Sequence, residues 1–269
     1  MNLNGLSTVN IELTNKCNKS CFMCGRRKIE KNYPNLALTY NQEMDLNLLD
    51  LISYQIPTKI VIQFHSNGEP LLYSQLGKAL DLFPTNIKCL NTNGKLLLEK
   101  ADEIIDKLDT LTISVIENDP EGAEQYDIIK QFLTLKGSRP PYVIFRLLGN
   151  VAPNLYENLG GLICTRTLHN PMGSYAYNRV TTKPEIGVCL DLLNHLVIDV
   201  QGNVFPCVRF DYLQHNLLGN IQTKSLEALW NSQKRLDLIK AHIQGNRTTS
   251  PLCEQCHFYG CPTSYEGEK

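Results

Sequence analysis

The chain has 269 residues, of which 42% are hydrophobic and 20% charged, so it can bury a large core. Its 26 Lys and Arg residues nearly balance 27 Asp and Glu residues, and the formal net charge of −1 argues against a general nucleic-acid or anionic-membrane binder. No apolar run has the length of a membrane-spanning helix, and the start of the chain has no signal-peptide pattern. We therefore expect a cytoplasmic protein whose thiols are reduced, with neither nucleic acid nor a membrane as a partner.

Short apolar segments rich in β-branched residues alternate with segments of helical periodicity over the first two thirds of the chain. The predicted strands cover 9–13, 60–64, 87–91, 111–116, 142–147 and 162–168. The predicted helices between them cover 43–54, 95–108 and 121–135. This alternation predicts a parallel sheet that is either open or closed into a barrel.

The last third of the chain has a different pattern. Residues 195–207 predict a β-hairpin that turns at Gln201-Gly202, and residues 225–243 predict one amphipathic helix with Ser225 as its N-cap. The tail after residue 250 is short and rich in Cys, so we expect a cross-link or a metal to order it. We place a domain boundary near residue 180, between a β/α domain at 1–180 and a smaller domain at 181–269.

The ten cysteines are clustered along the chain. Two of them, Cys89 and Cys164, stand alone and are expected to be buried. The others form three groups, which are Cys17, Cys21 and Cys24, then Cys189 and Cys207, and finally Cys253, Cys256 and Cys261. Clustered cysteines in a reducing compartment are more often metal ligands than disulfides.

The first group, Cys17, Cys21 and Cys24, directly follows the first predicted strand. In a β/α barrel, that end of the strand is the catalytic end. Structural zinc sites usually have four protein ligands, and cubane iron–sulfur clusters are usually held by four cysteines. Three thiolates without an obvious fourth ligand therefore indicate an iron that is open to an outside ligand. The alternative is a zinc knuckle or unrelated thiols.

This CxxxCxxC pattern resembles the signature of the radical S-adenosylmethionine (radical SAM) superfamily. The resemblance implies a 4Fe–4S cluster on Cys17, Cys21 and Cys24, with S-adenosylmethionine chelated by the open iron and cleaved to a 5′-deoxyadenosyl radical. The family often has an aromatic residue before the third cysteine; Met23 stands there and can pack on adenine. The implied fold is α/β, with a partial TIM-like (β/α)6 barrel followed by a small α+β domain.

Further motifs of the superfamily follow the later strands. Gly68-Glu69-Pro70 resembles the turn whose backbone takes the ammonium group of S-adenosylmethionine, and His65 lies close to it. Asn93 belongs to a Thr-Asn-Gly turn at the rim of the barrel. Ser114 is a candidate for ribose or carboxylate contact, and Arg146 is a candidate partner of the cofactor carboxylate. The alternatives are an ordinary turn, a strand hydroxyl and a surface charge.

Four later cysteines, Cys189, Cys207, Cys253 and Cys256, could enclose one metal ion or cluster, and their spacing does not distinguish zinc from iron–sulfur. They resemble the SPASM/twitch extension of radical SAM enzymes, which implies a second, auxiliary 4Fe–4S cluster. Too few cysteines remain for the longer SPASM form with two clusters, so the shorter twitch form is favoured.

From about residue 8 to residue 260, the chain resembles the radical SAM dehydrogenases that oxidise aminocyclitol alcohols. These residues carry the cysteine triad, the two turns, a Gly160-Gly161 step and the final CxxC. The resemblance implies two-electron oxidation of a carbohydrate or aminocyclitol alcohol, with the auxiliary cluster as electron acceptor and flavodoxin or ferredoxin as reducing partner. Leu159 stands where those enzymes carry an arginine, a departure that bears on the substrate and on the oxidation.

Two other functions remain open. The first is an epimerase or peptide-modifying radical SAM enzyme acting on a sugar or peptide substrate, with Cys261 as the catalytic hydrogen donor; Cys261 can also be a spare cluster ligand or a bystander. The second is a non-catalytic zinc-binding interaction module. The polar and aromatic segment 166–179, with Arg166, His169 and Tyr175, is a candidate substrate loop.

Overall fold

A mainly parallel sheet of nine strands runs through the computed structural model, which describes residues 2–168, 176, 188–254 and 256. The strands are β1 (Thr8–Ile11), β2 (Val61–Phe64), β3 (Ile87–Thr92), β4 (Thr110–Ile116), β5 (Tyr142–Leu148), β6 (Leu162–Arg166), β7 (His195–Ile198), β8 (Asn203–Phe205) and β9 (Gly219–Asn220). Their order is β6-β5-β4-β3-β2-β1-β7-β8-β9. The first seven strands pair in parallel, and β8 and β9 pair antiparallel.

Helices connect the parallel strands, as the alternating pattern predicts. They are α1 (Gly25–Asn32), α2 (Pro34–Ala37), α3 (Leu46–Ser53), α4 (Leu76–Asp81), α5 (Ala101–Ile104), α6 (Gly122–Lys136), α7 (Asn154–Glu157), α8 (Leu190–Asn194), α9 (Leu226–Trp230), α10 (Gln233–Ile243) and α11 (Pro251–Glu254). The predicted α/β class with a parallel sheet is therefore confirmed. No helix in the described parts of the chain is long and apolar enough to cross a membrane.

The helix predicted over 95–108 is wrong in its extent, because only the single turn α5 is α-helical. Ile105 has an extended backbone and Asp106 has a φ of 64°, so the helix cannot continue past Ile104. The Asp106 N–H donates to the carbonyl of Pro140 at 3.1 Å. This contact between distant segments competes with the helical hydrogen bond that the local pattern favours.

The single helix predicted over 225–243 is also wrong, since α9 and α10 are separate helices. Ser225 is the N-cap of α9, as predicted, and accepts a hydrogen bond from the Ala228 N–H at 3.2 Å. Ser232 is extended and precedes α10. Arg235 stacks on the Trp230 ring at 3.2 Å from its centroid and donates to the Trp230 carbonyl at 3.0 Å, which stabilises the break.

The two faces of the sheet differ in polarity. One face packs into the hydrophobic core with the helices, and its in-register row consists of Ile11, Phe64, Leu90, Leu111 and Val143, each at most 5% exposed. Successive side chains in a strand point to opposite faces, so the other face carries Glu12, His65, Asn91, Thr112, Ser114 and Arg146. This polar face positions the candidate site.

The C-terminal hairpin is an extension of the same sheet. β7 pairs with β1, and β8 returns antiparallel to β7 after a turn in which Gly202 has a φ of 82°. The hairpin predicted over 195–207 is therefore confirmed. The sheet continues across the predicted division near residue 180, and that division stays a prediction.

Candidate cofactor and cluster sites

The first cysteine group lies in the loop between β1 and α1. Cys24 is the residue that precedes α1, and its N–H donates to the Cys21 carbonyl at 3.1 Å. Burial raises the pKa of all three thiols, and for Cys21 burial and the neighbouring sulfurs of Cys24 and Cys17 together raise it to about 11. The three sulfurs are thus close enough to interact, and a bound cation would favour their ionised form.

A 4Fe–4S cluster fits this arrangement of thiols. No disulfide joins the nine cysteines that the structure describes. No group of three Cys, His, Asp or Glu side chains in the described ranges is assembled to hold a single metal ion. A cubane cluster is held by separate thiolates, so its ligands need not converge on one point.

The turn after β2 packs directly on the start of the cysteine loop. A Cβ atom on Gly68 would lie 2.0 Å from the Thr14 carbonyl oxygen and 2.8 Å from that of Lys16. The Glu69 N–H donates to the same Lys16 carbonyl at 2.7 Å. Only glycine permits this approach of two backbones, which brings the predicted S-adenosylmethionine turn beside Cys17.

Glu69 connects two of the predicted cofactor-binding turns. Its buried carboxylate accepts hydrogen bonds from the Leu71 N–H at 3.1 Å, the Thr92 hydroxyl at 2.7 Å and the Asn93 N–H at 2.7 Å. Burial raises the pKa of this carboxyl to about 7. Pro70 begins the 3₁₀ turn Pro70–Leu72, for which Glu69 is the cap. Glu69 therefore shapes the turns through contacts within the protein.

The turn after β3 reaches the cysteine loop through Asn93. Its side-chain amide donates to Asn18 Oδ1 at 2.8 Å, between Cys17 and Cys21 in the sequence. The Asn93 carbonyl accepts from the Gln125 amide at 2.6 Å. The same Gln125 amide donates to the Ser114 carbonyl at 2.9 Å. The turn after β3 is thus tied to both the cysteine loop and β4.

Two basic residues that sequence analysis missed hold the cysteine loop in place. Lys19 is buried and forms an ion pair with Asp119, which follows β4. Arg26 donates to the carbonyls of Asn15 and Asn67, on the two sides of the Gly68 contact. The only signal in the sequence was the presence of basic residues within and just after the cysteine motif.

Ser114 and Arg146 lie opposite each other on β4 and β5, and Cys164 follows in the same register on β6. Burial, together with the charge of Arg146, lowers the pKa of His65 to about 3. Arg146 is therefore near His65 on the polar face, although β5 is three strands away from β2. Met23 is half-buried in the cysteine loop.

Glu12, at the end of β1, is a candidate site residue that sequence analysis missed. It is 4% exposed and accepts hydrogen bonds from the N–H groups of Asn67 at 3.0 Å and Val200 at 3.4 Å. Burial and, to a smaller extent, the nearby carboxylate of Asp199 raise its pKa to about 7. Its position after an apolar strand gave no signal of function.

Glu12→Gln tests the protonation of this group. The pKa of Glu12 is higher in the folded chain than in the unfolded chain, so the folded chain binds the proton more tightly. Protonation of Glu12 therefore stabilises the fold. This stabilisation is complete below about pH 4.5 and is lost as the pH rises through about 7. The variant should lose this dependence, which amounts to at most about 3 kcal/mol. Urea unfolding of both proteins across this range measures it, and an equal decline in both would contradict the buried carboxyl.

The structure places Cys189, Cys207 and Cys256 near one another, and Cys253 lies close to Cys256 in the chain, with its carbonyl accepting from the Cys256 N–H at 3.3 Å. Cys189 precedes α8, Cys207 follows β8, Cys253 lies in α11, and Cys256 follows it. Burial raises the pKa of Cys207 well above its usual value, with further contributions from Asp191 and from the sulfurs of Cys189 and Cys256. These cysteines belong to three segments that are distant in the sequence.

Hydrogen-bond donors and a positive charge surround these sulfurs. The Arg209 N–H donates to Cys207 Sγ at 3.3 Å, and the Asn216 amide donates to Cys253 Sγ at 3.8 Å. The pKa of Arg247 is lowered by burial, while Cys256, Cys253 and Cys189 oppose that change, so its guanidinium lies near three of the sulfurs. Such donors suit thiolates that carry a cluster.

A cavity of about 110 Å³ lies at the ends of β1 and β2, beside the segment that follows β8. Its walls include Glu12, Tyr40, Asn67, Asp199, Cys207 and Arg209. Because Cys207 is among the lining residues, a molecule in the cavity could touch the second candidate cluster site.

Cys261, His169 and Tyr175 lie outside the described residues.

Comparisons with known proteins agree with this architecture. The SPASM family, described as an iron–sulfur cluster-binding domain, matches residues 189–257. The FeMo cofactor biosynthesis protein NifB of Methanocaldococcus jannaschii is 30% identical over 123 residues, which cover 42% of this chain and 41% of that relative. The chain thus matches about two fifths of the length of that relative.

Two solved structures share the fold over nearly the whole chain. BtrN in complex with AdoMet and 2-DOIA superposes with a TM-score of 0.66 at 20% identity, covering 97% of each chain. SuiB of Streptococcus suis bound to precursor peptide SuiA gives a TM-score of 0.64 at 12% identity, covering 94% of this chain and 71% of that one. Residues 189–257 thus match the SPASM iron–sulfur cluster-binding domain, and the cysteine triad, the similarity to NifB and the fold shared with BtrN and SuiB together support the radical SAM superfamily.

Proposed function

We propose that the protein is a radical SAM oxidoreductase that oxidises an alcohol of a carbohydrate or aminocyclitol by two electrons. The observation that carries this proposal is the polar cavity that has both Glu12, at the end of β1, and Cys207, of the second cysteine set, in its wall. An auxiliary cluster in contact with the substrate cavity is well placed to accept the second electron. The chain shares the fold of BtrN, whose structure was determined with AdoMet and 2-DOIA, and this likeness supports a reaction that uses S-adenosylmethionine on a similar substrate.

The residues around the cysteine loop suit S-adenosylmethionine. Cys17, Cys21 and Cys24 would hold the reduced cluster, and S-adenosylmethionine bound there would supply a 5′-deoxyadenosyl radical for hydrogen abstraction. The backbone of the Gly68 turn would bind its ammonium group. The predicted contacts of Met23, Asn93, Ser114 and Arg146 would orient the adenine, ribose and carboxylate.

Alcohol oxidation also releases the proton of the hydroxyl group. Glu12 lines the cavity, and its pKa of about 7 lets its carboxylate accept a proton near neutral pH. We assign this proton to the Glu12 carboxylate, whose Oε2 accepts a long hydrogen bond, 3.4 Å from the Val200 N–H. Tyr40 lines the same cavity near Glu12, where it would help to exclude water.

The variants Cys189→Ser and Cys207→Ser distinguish the role of the auxiliary cluster from that of the first cluster. Each variant should lose the auxiliary cluster and the oxidised product, while dithionite still drives formation of 5′-deoxyadenosine at the first cluster. The assay uses a panel of aminocyclitols that includes 2-DOIA, and Cys89→Ser serves as the matched control because Cys89 lies on β3, outside both sets. Oxidised product formed at the wild-type rate by both variants would contradict the proposed electron acceptor.

The second candidate is modification of a peptide, favoured by the fold shared with SuiB, whose structure holds a precursor peptide. In this case Cys261 would return a hydrogen atom to the substrate. Such an epimerase would incorporate solvent deuterium without net oxidation, and Cys261→Ala would abolish the incorporation. The oxidoreductase predicts an oxidised product and no requirement for Cys261.

A further inference from the structure

A network of four charged side chains joins the cysteine loop to the turn after β3 and to the loop between β4 and α6. Lys19 forms an ion pair with Asp119, and its Nζ atom lies 3.7 Å from Glu121 Oε2. Glu121 also pairs with Lys95, which follows the Asn93-Gly94 turn. The two lysines balance the two carboxylates, so the network brings no net charge to the first candidate cluster site.

The positive end of this network is the buried end, and it lies beside the cysteines. The Lys19 side chain is 4% exposed, whereas those of Lys95 and Glu121 are 25% and 37% exposed. Burial and the neighbouring sulfurs raise the pKa of the Cys21 thiol, while the Lys19 charge lowers it and the Asp119 charge raises it by a smaller amount. Both charges therefore reach the Cys21 sulfur, and the cation has the larger influence.

The Lys19 ammonium group is held in this place from two sides. Its neighbour Asn18 accepts a hydrogen bond from the Asn93 amide at 2.8 Å, which ties the cysteine loop to the turn after β3. Asp119 holds the ammonium group itself, and its carboxylate also accepts from the Glu121 N–H at 3.1 Å within its own turn. A charge that is buried and fixed in this way is screened far less than an exposed one.

We propose that the Lys19 charge raises the reduction potential of the first cluster and that Asp119 is the positioning residue that holds this charge in place. The inference rests on the proposed function, because the cluster on Cys17, Cys21 and Cys24 must be reduced before S-adenosylmethionine is cleaved. The incoming electron adds negative charge to a site that already holds three thiolates. A fixed cation beside the site stabilises the reduced form, since nearby charge is one of the factors that set the potentials of such clusters.

Removing either member of the pair should change the potential in opposite directions. Without Lys19, the cluster loses a neighbouring cation and keeps the Asp119 carboxylate, so its reduced form is harder to reach. Without the Asp119 charge, the cation is no longer compensated by its partner, so the reduced form is easier to reach. When both charges are removed together, the two effects should largely cancel. An ion pair that only holds the loop in place has no such signed effect on a potential.

The test is a redox titration of the cluster-loaded full-length protein, followed by electron paramagnetic resonance. Dithionite gives one electron to the cluster with no bond made or broken, and the signal of the first cluster is the one that S-adenosylmethionine changes. Lys19→Met should lower the ratio of reduced to oxidised cluster about tenfold at a fixed potential, a shift of about 59 mV for one electron. Asp119→Asn should raise this ratio, and the double variant Lys19→Met/Asp119→Asn should lie close to the wild type.

The matched control removes a second ion pair that is remote from the cysteine loop. Lys107 and Asp81 pair at 2.8 Å, and Lys107 precedes β4, at the opposite end of the strands from the cysteine loop. Lys107→Met/Asp81→Asn should therefore leave the potential unchanged. Asp119→Asn keeps an oxygen that can accept from the Glu121 N–H, so this variant should fold and test the proposal even where Lys19→Met takes up little iron.

Two results would overturn the inference in distinguishable ways. If the wild type and the Lys19 and Asp119 variants all share one potential, the pair has only a structural role, which urea unfolding of the cluster-free chain would show as a loss of stability in each single variant. In that case the proposed function still stands. If the wild type takes up no iron and gives no signal that S-adenosylmethionine changes, the proposed function fails and the inference fails with it.

Discussion

Gly68→Ala is expected to destabilise the fold by about 3 kcal/mol and to abolish S-adenosylmethionine binding. The added methyl group would lie 2.0 Å from the carbonyl oxygen of Thr14 and 2.8 Å from that of Lys16. Both atoms belong to the backbone, so neither can move without shifting the cysteine loop. Urea unfolding measures the loss of stability, and calorimetric titration with S-adenosylmethionine measures the loss of binding.

Gly122→Ala is the matched control for this change. Gly122 is the first residue of α6, and the only atom near its added methyl group would be Asp119 Cβ at 3.9 Å, an ordinary van der Waals distance. This variant should unfold and bind as the wild type does. If Gly68→Ala also retained wild-type stability, the close contact between the turn after β2 and the cysteine loop would be contradicted.

Cys21→Ala is expected to reduce dithionite-driven formation of 5′-deoxyadenosine to the background level. The first cluster has only three protein ligands in this account, so losing one leaves it without a stable site. The thiol is half-buried and close to Cys17 and Cys24, so no other described thiol can replace it without a rearrangement of the loop. Product analysis by chromatography, under anaerobic conditions and with excess reductant, measures the effect.

The same assay on Cys89→Ala controls for removing a partly buried thiol. Cys89 lies on β3, and burial raises its pKa as it does for the cluster candidates. It belongs to neither cysteine set, so its variant should retain activity. Full activity in Cys21→Ala would show that the cysteine triad does not hold the cluster.

The elements that sequence analysis predicted well are those with a purely local cause. The strands around Phe64, Leu90 and Leu111 are short, apolar runs, and burial on the helix side of the sheet is what such runs favour. The cysteine triad was visible because its three members lie in eight residues. Ser225 was a sufficient local signal for the start of α9.

What sequence analysis missed depends on contacts between distant segments. Glu12 matters because Asn67 and Val200 donate to it, and Lys19 matters because Asp119 is folded against it. Neither partner can be paired from spacing along one chain. The break between α9 and α10 likewise depends on the stacking of Arg235 on Trp230, which overrides the helical periodicity.

The function rests on how many clusters the chain carries and of what kind. Iron and acid-labile sulfide, measured per chain after anaerobic reconstitution, test this most directly. Two cubane clusters predict about eight iron atoms and about eight sulfide ions. About four of each would leave the C-terminal cysteines without an iron–sulfur cluster and would remove the proposed electron acceptor. Zinc in place of iron, without sulfide, would contradict the radical mechanism and favour a non-catalytic zinc-binding module.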